Sequence, residues 1–162
     1  SGPHVCSGYW RNPDATGEAL WYDPVTGSGP WFRTGDMARK DEEGFYYIVG
    51  RYKDMIKSGG ENIYSAEVEA VFREHPAVDD AALIGVPHDA WGEVGLMVVV
   101  LADGQAATPE ELQTFCGEHL ARYKLPKAFV VVERIQRSAS GKPDYGWARR
   151  VAVDAGEGRS AS

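Results

Sequence analysis

The chain has 162 residues, the length of one domain or two small ones. Its formal net charge of -7 argues against a nucleic-acid-binding protein, which would need a basic face. Apolar residues make up 43% of the chain and can fill a core, but no run is long enough to span a membrane. Two cysteines, Cys6 and Cys116, are too few for a disulfide framework, which favours a reducing, cytoplasmic location.

The N-terminal part of the chain is rich in glycine, proline and aromatic residues. Residues 1–30 carry closely spaced turn signals and predict loops and short strands. Residues 31–37 and 45–49 predict two strands joined by a turn at 41–44. The pattern breaks at residues 50–54, where we expect a domain boundary.

The remainder begins with one helix and two strands. Ser65 is the expected N-cap of the helix, and the helix should end before Pro76. Apolar runs at 78–86 and 94–102 predict strands, the first of them stopped by Pro87.

A second helix and a third strand follow. Thr108 and Glu111 have the spacing of a capping box and predict a helix start. Residues 128–132 predict a strand. The order favours an α+β fold in which helices pack on a three-stranded sheet, accompanied by a β-hairpin.

Three segments have residue types that suggest chemistry. In Thr34-Gly35-Asp36, a carboxylate beside a glycine can accept hydrogen bonds from a diol such as ribose. The same aspartate can hold its own turn, and this segment alone favours that simpler role.

The second segment, residues 50–63, places cations and a Gly-Gly pair between two apolar patches. Gly59 and Gly60 permit positive φ and close approach of a ligand. Arg51 can hold a phosphate or ribose oxygen by charge-assisted hydrogen bonds. A solvated hairpin with a flexible tip explains the same residues.

The third segment, residues 137–143, is a run of small residues that presents Lys142. The spacing is not that of a P-loop. Pro143 favours extended backbone at Lys142, which predicts a loop rather than a helix. A single loop lysine is most often surface charge. We predict no metal site, since the four histidines lack metal-ligand spacing.

Taken in order, these segments resemble the adenylate-forming superfamily, which includes acyl-CoA synthetases, peptide-synthetase adenylation domains and luciferases. The motifs are Thr34-Gly35-Asp36, Gly50-Arg51, Lys53-Asp54, Lys57-Ser58-Gly59-Gly60-Glu61-Asn62-Ile63, Glu67-Val68-Glu69, Tyr123-Lys124-Leu125-Pro126 and Ser140-Gly141-Lys142. Acyl-CoA synthetases, in particular fatty-acid–CoA ligases, are the most similar members. Pro143 departs from the aliphatic residue of many relatives, which leaves the backbone path of Lys142 open.

The resemblance implies that the chain is the C-terminal part of a larger enzyme. Residues 1–51 would be the β-rich end of the large adenylation domain, residues 52–150 the mobile C-terminal domain, and residues 151–162 a flexible tail. The N-terminal adenylation domain of the same protein is then the expected partner. That domain carries the acid-binding pocket of these enzymes, so the acid is not identified by this sequence.

The resemblance also implies roles for residues. A carboxylic acid would attack the α-phosphate of ATP, accompanied by Mg²⁺, and the thiol of CoA would then displace AMP. Asp36 would hold the ribose hydroxyls, Arg51 a ribose or phosphate oxygen, and Lys142 would be the catalytic cation between carboxylate and phosphate. The C-terminal domain would rotate about Lys53 between the two steps. The residues expected at the thiol are Lys57, Gly59, Gly60 and Glu61.

Two alternatives remain open from the sequence. The first is an adenylating enzyme that loads the pantetheine of a carrier protein instead of CoA. The second is that this chain by itself is a non-catalytic docking module.

Overall fold

The computed structural model describes residues 2–139 and 141–160. The chain divides into two compact units, Ser1–Met37 and Ala38–Ser162. The domain boundary that we place between residues 51 and 52 stays a prediction. Within the described residues no helix is both long enough and apolar enough to cross a membrane.

The first unit contains one short helix and one pair of short strands. Helix α1 (Pro13–Ala19) begins at Asn12, whose side chain accepts a hydrogen bond from the backbone N–H of Ala15. Strands β1 (Leu20–Trp21) and β2 (Trp31–Phe32) pair antiparallel. The turn signals in residues 1–30 predicted loops and short strands and not this helix; one of them, Asn12-Pro13, starts the helix instead, with Asn12 as N-cap and Pro13 as the first helical residue.

The second unit contains most of the regular structure. A two-stranded hairpin of β3 (Asp36–Lys40) and β4 (Tyr46–Arg51) begins at the end of the first unit. The single strand predicted at 31–37 was wrong, because it is divided at Thr34-Gly35. The remaining elements are a 3-10 turn (Tyr52–Asp54), β5 (Ile56–Ser58), β6 (Glu61–Ile63), α2 (Ser65–Arg73), β7 (Val78–His88), β8 (Gly92–Leu101), α3 (Pro109–Gly117), a 3-10 turn (Arg122–Lys124), β9 (Ala128–Val131) and α4 (Tyr145–Ser160).

A five-stranded sheet organises this unit. Strand β8 is central: it pairs antiparallel with β7 along its length, parallel with β9, and through Gly92 with β5 of the β5–β6 hairpin. The predicted α+β class and the predicted order of helix, strand, strand, helix and strand are confirmed. The hairpin extends the predicted three-stranded sheet to five strands.

Both faces of the sheet are covered. Alternate residues of β7 and β8 point to opposite sides, as the period of a strand requires. One face, with Leu83 and Met97, packs against Phe72 of α2 and Leu112 of α3. The other face packs against α4. Its buried members are Ala82, Ile84, Leu96, Val98, Val100, Ile135, Ala148 and Ala152.

Two helix starts differ from the sequence prediction. Ser65 is the first residue of α2 rather than its N-cap, which is Tyr64, and its hydroxyl donates to the carbonyl of Asp54. Helix α4 was not predicted. Asp144 precedes it and accepts from the N–H of Trp147, an N-cap contact. The helix continues through 151–160, where we predicted a tail.

Proline does not end β7 where we predicted. Pro87 lies within the strand and is paired in register with Glu93. Strand β7 has a neighbour on one side only, and an edge strand tolerates proline because its outer N–H needs no partner strand. The predicted capping box of Thr108 and Glu111 is confirmed, with both reciprocal hydrogen bonds formed.

Candidate functional site

Lys142 lies in a tight loop that we call the lysine loop, residues 137–143. Arg137 and Pro143 form an isolated antiparallel bridge at its base. The Ser138 N–H donates to the carbonyl of Lys142 at 2.8 Å, and the Gly141 N–H donates to Ser138 at 2.9 Å. Lys142 therefore has a fixed backbone in a loop, as its position before a proline predicted. Ser140 lies outside the described residues.

The side chain of Lys142 is exposed. Among the described residues its ammonium group has no hydrogen-bond or ion-pair partner. Two small residues of the loop, Ala139 and Gly141, are also exposed. The arrangement presents a cation at the surface of this unit.

A buried carboxylate lies beneath the lysine loop. Glu69 of α2 is 2% exposed and accepts hydrogen bonds from the Leu83 N–H at 2.9 Å and the Tyr145 hydroxyl at 3.0 Å. Arg73, one turn along α2, donates to its other oxygen at 3.0 Å. Burial raises the pKa of Glu69, although these donors oppose the shift. Burial also raises the pKa of Tyr145, and the adjacent Glu69 charge adds to this.

The contacts of Glu69 and Arg73 also close the open edge of β7. Leu83 offers its outward N–H to Glu69, and Ala81 offers its outward carbonyl to Arg73 at 3.4 Å. Two side chains of α2 thus satisfy backbone groups that an adjacent strand would otherwise bind.

Four of the predicted site residues lie together in the β5–β6 hairpin. Ser58 pairs with Glu61, so Gly59 and Gly60 alone form the turn, and both have positive φ, at 59° and 89°. A two-residue turn of this kind requires positive φ at both positions. Lys57 and Glu61 are exposed on either side of the turn. The sequence alternative of a hairpin is correct for the backbone.

Trp91 packs against this turn, which the sequence analysis did not anticipate. The Gly59 N–H donates to the Trp91 carbonyl at 2.9 Å. A Cβ atom at Gly59 would clash with the Trp91 ring, whereas one at Gly60 would meet nothing. Glu93 accepts from the Lys57 N–H at 3.1 Å. The sequence signal was available in the Trp91-Gly92 pair, because a glycine after an aromatic residue lets another chain segment approach.

The hairpin turn and the lysine loop lie at opposite ends of the sheet. Gly92, beside the turn, pairs with His88 at the end of β7. Asp80, which binds the lysine loop through Arg137, pairs with Val100 near the start of β7. Eight residues of antiparallel strand separate these pairs by about 27 Å. The structure therefore groups Lys57, Gly59, Gly60 and Glu61 and keeps Lys142 away from them.

Asp36 lies in the first unit, at the start of β3. Its N–H donates to the Thr34 hydroxyl at 3.0 Å across Gly35, whose φ is 72°. The turn is thus held by the threonine side chain, and the Asp36 side chain is exposed. The ribose-binding role of Asp36 stays a prediction.

Arg51 and Lys53 lie where β4 leads toward the β5–β6 hairpin. Arg51 is the last residue of β4, and Lys53 is the middle residue of the following 3-10 turn. Both side chains are exposed. The Ser65 hydroxyl fixes the carbonyl of Asp54 to the start of α2, so the chain is anchored immediately after Lys53.

Neither Cys116 nor a cluster of the described acidic groups forms a further centre. Burial raises the pKa of Cys116 to about 12, which leaves its thiol protonated and unreactive at neutral pH. Within residues 2–139 and 141–160, no group of three His, Cys, Asp or Glu side chains is arranged to hold a metal ion.

Known proteins match nearly the whole chain. Residues 67–142 match the model of the AMP-binding enzyme C-terminal domain. A feruloyl-CoA synthase of Amycolatopsis sp is 46% identical over 150 residues, which are 93% of this chain and 29% of that protein. The long-chain-fatty-acid–CoA ligase FadD13 of Mycobacterium tuberculosis (strain ATCC 25618 / H37Rv) is 45% identical over 134 residues, 83% of this chain and 25% of that protein.

Solved structures agree with these matches. The o-succinylbenzoate CoA synthetase of Bacillus subtilis, in complex with an acyl-adenylate intermediate, superposes with a TM-score of 0.78 at 39% identity. The match covers 88% of this chain and 28% of that one. The chain therefore spans less than a third of the length of these relatives. It is homologous to the C-terminal portion of adenylate-forming enzymes, and its residues 67–142 belong to the AMP-binding enzyme C-terminal domain family.

Proposed function

We propose that this chain is the C-terminal part of an AMP-forming acid–thiol ligase. In the first half-reaction a carboxylate oxygen attacks the α-phosphate of ATP, and pyrophosphate leaves. In the second, the thiol of CoA attacks the acyl carbonyl, and AMP leaves with the electron pair of the broken bond. The relatives named above are CoA ligases, which supports this reaction class.

Lys142 is the proposed catalytic cation of the first half-reaction. A carboxylate and a polyphosphate repel each other, and a preorganised ammonium group between them lowers this repulsion most in a site without water. The observation that supports the role is the exposed Lys142 side chain on a loop of fixed backbone. In the same proposal Asp36 binds the ribose hydroxyls and Arg51 binds a ribose or phosphate oxygen.

The hairpin turn is the proposed contact with the thiol in the second half-reaction. Gly59 and Gly60 leave no side chain beside the path of a pantetheine arm, and Lys57 and Glu61 flank it. The strand positions beside the turn and beside the lysine loop are about 27 Å apart, so the turn and Lys142 are not expected to occupy one small site at the same time. Rotation of the C-terminal domain about Lys53 would bring first Lys142 and then the hairpin turn to the reacting groups.

The partners follow from the same proposal. ATP and CoA are the cofactors, and the N-terminal adenylation domain of the complete protein is the partner that provides the acid-binding pocket. Mg²⁺ would accompany ATP and be held mainly by the nucleotide and that domain. The acids named by the relatives differ widely, and we make no assignment among them beyond a carboxylic acid.

The test uses the complete protein and measures acid-dependent release of pyrophosphate. We expect a panel of aromatic and fatty acids to contain a substrate, and we expect CoA rather than a pantetheinylated carrier protein to accept its acyl group. Acceptance by the carrier alone would favour the alternative. This chain by itself should catalyse no ATP–pyrophosphate exchange, and adding the N-terminal domain should restore it.

A further inference from the structure

The lysine loop is held by polar contacts rather than by burial. The described residues from 137 to 142 are all exposed, so apolar packing contributes little to their position. Among the described residues, the loop is fixed by hydrogen bonds between its own backbone groups, by the Ser138 hydroxyl, which donates to the Lys142 carbonyl at 3.2 Å, and by the long side chain of Arg137. The partners of the Arg137 side chain therefore help to set the position of Lys142.

Arg137 joins the loop to the edge of the sheet. Its Nη2 lies 2.6 Å from both carboxylate oxygens of Asp80, and its Nε lies 3.2 Å from Oδ2. Its Nη1 donates to the carbonyl of Gly141 at 2.6 Å, one residue before Lys142. One planar guanidinium thus fixes the distance between the start of β7 and the peptide bond that precedes the lysine.

The anchor itself is rigid. Asp80 lies in β7 with its side chain 16% exposed, and Arg73 of α2 is within 3.5 Å of it. Arg73 also binds the buried Glu69, which accepts from Tyr145 on the far side of the loop. Gly141 is therefore connected to Arg73 of α2 through Arg137 and Asp80, and Tyr145 is connected to Glu69 of the same helix.

We propose that Arg137 is a positioning residue for Lys142, acting through its clamp between Asp80 and the Gly141 carbonyl. The inference rests on the proposed function of Lys142. Asp80 keeps Arg73 as a partner when Arg137 is removed, and an ion pair with one exposed member contributes at most about 1 kcal/mol to folding stability, so the loss should change the geometry of the loop more than the unfolding temperature. Small displacements of a catalytic group cost up to about a hundredfold in rate.

The experiment measures the two half-reactions of the complete enzyme separately for Arg137→Ala. We expect the pyrophosphate-forming step to slow by roughly ten- to a hundredfold. Thioester formation from preformed acyl-adenylate should be unchanged, because it does not use the lysine. In a Lys142→Ala background the substitution should cause no further loss, since residues that act through one group are non-additive.

Two further variants distinguish the contacts of Arg137 from its charge alone and from an effect on folding. Arg134→Ala removes the same charge from an exposed position three residues earlier and should leave both half-reactions unchanged. Arg137→Lys keeps the charge but loses the planar fork that holds Asp80 and Gly141 through separate nitrogen atoms, so the first half-reaction should still slow. Their unfolding temperatures should match that of the wild type.

Three results would overturn the proposal. Equal slowing of both half-reactions by Arg137→Ala would indicate a general structural role. A further loss in the Lys142→Ala background would show that Arg137 does not act through the lysine. If Lys142→Ala itself left pyrophosphate release intact, the proposed role of the lysine would fail first, and the clamp would fail with it.

Discussion

The hairpin turn and the lysine loop, at opposite ends of the sheet, are held in place by different kinds of interaction. The hairpin turn is held by backbone conformation and by packing of Gly59 against Trp91. The lysine loop is held by an ion pair and by hydrogen bonds to carbonyl groups. A steric change should therefore damage the first end and a charge or hydrogen-bond change the second. This difference makes the two ends separable by mutation.

The largest expected effect comes from Lys142→Ala in the complete enzyme. Removal of one preorganised charge should slow adenylate formation on the order of 10² to 10³-fold. The rate of acid-dependent pyrophosphate release measures this. Lys142→Arg is the matched control for charge, because its bulkier fork keeps the charge but changes the reach. An unchanged rate in Lys142→Ala would contradict the assignment of the lysine loop to adenylate formation.

Lys53→Pro tests whether rotation about Lys53 replaces the lysine loop by the hairpin turn at the reacting groups. Proline fixes φ near -65° and would restrict rotation at the middle of the 3-10 turn. We expect thioester formation to slow by roughly an order of magnitude, because the rotated conformation would need a backbone angle that proline disfavours, and a penalty of about 1–2 kcal/mol changes a rate by that much. Adenylate formation should persist. Lys53→Ala removes the same side chain without fixing φ, and normal turnover by both variants would argue against a hinge here.

Gly59→Ala should act on the hairpin end alone. The added Cβ would meet the Trp91 ring, and a residue with positive φ also loses about 1–2 kcal/mol. Gly104→Ala is the matched control, because Gly104 has φ of 71° and open space around it. Both variants should lose stability in chemical denaturation because of the positive φ, and Gly59→Ala should lose more because its Cβ also meets Trp91. Only Gly59→Ala should slow thioester formation; equal rates would contradict a role for the turn.

Glu69→Gln tests the buried charge beneath the lysine loop. Burial raises the pKa of Glu69 in the folded protein above the unfolded value of 4.5. Its contribution to stability is then complete below that value and is lost as pH rises through the folded pKa. Relative to Glu69→Gln, the wild type should become less stable from pH 4 upward. A relative gain with rising pH would mean that Arg73 and the hydrogen bonds outweigh burial.

The smallest effect is expected far from either end. Thr108→Ala removes the capping box of α3 and should cost about 1 kcal/mol of unfolding free energy. Thr114→Ala, in the same helix, removes no cap and should be neutral or slightly stabilising. Neither should alter the ratio of the two half-reaction rates. A changed ratio would show that helix stability, and not the two ends, controls that balance.

Local patterns predicted much of this fold because they depend on few residues. The capping box at Thr108 and the alternating strands around Leu83 and Met97 are fixed by short-range spacing. Helix α4 was not predicted because its start directly follows the small-residue segment of Lys142 and Pro143, a pattern that favours a loop. Its own signal was Asp144 followed by small apolar residues four apart.

The sequence predicted which segments carry the candidate residues, but it did not predict where these segments lie relative to one another. The resemblance named Lys142, Gly59 and Gly60, yet the sequence contains no measure of the distance between their segments. That distance follows from the register of β7 and β8. The clamp of Arg137 and Asp80 joins residues 57 apart in the chain, and no short motif connects them.

The central claim is that each end of the sheet serves one half-reaction. The most direct measurement crosses two variants of the complete enzyme, Lys142→Ala and Gly59→Ala, against adenylate formation and against thioester formation from preformed adenylate. The account predicts opposite patterns: the lysine variant loses the first step and keeps the second, and the glycine variant keeps the first and loses part of the second. Parallel losses in both steps for both variants would contradict it.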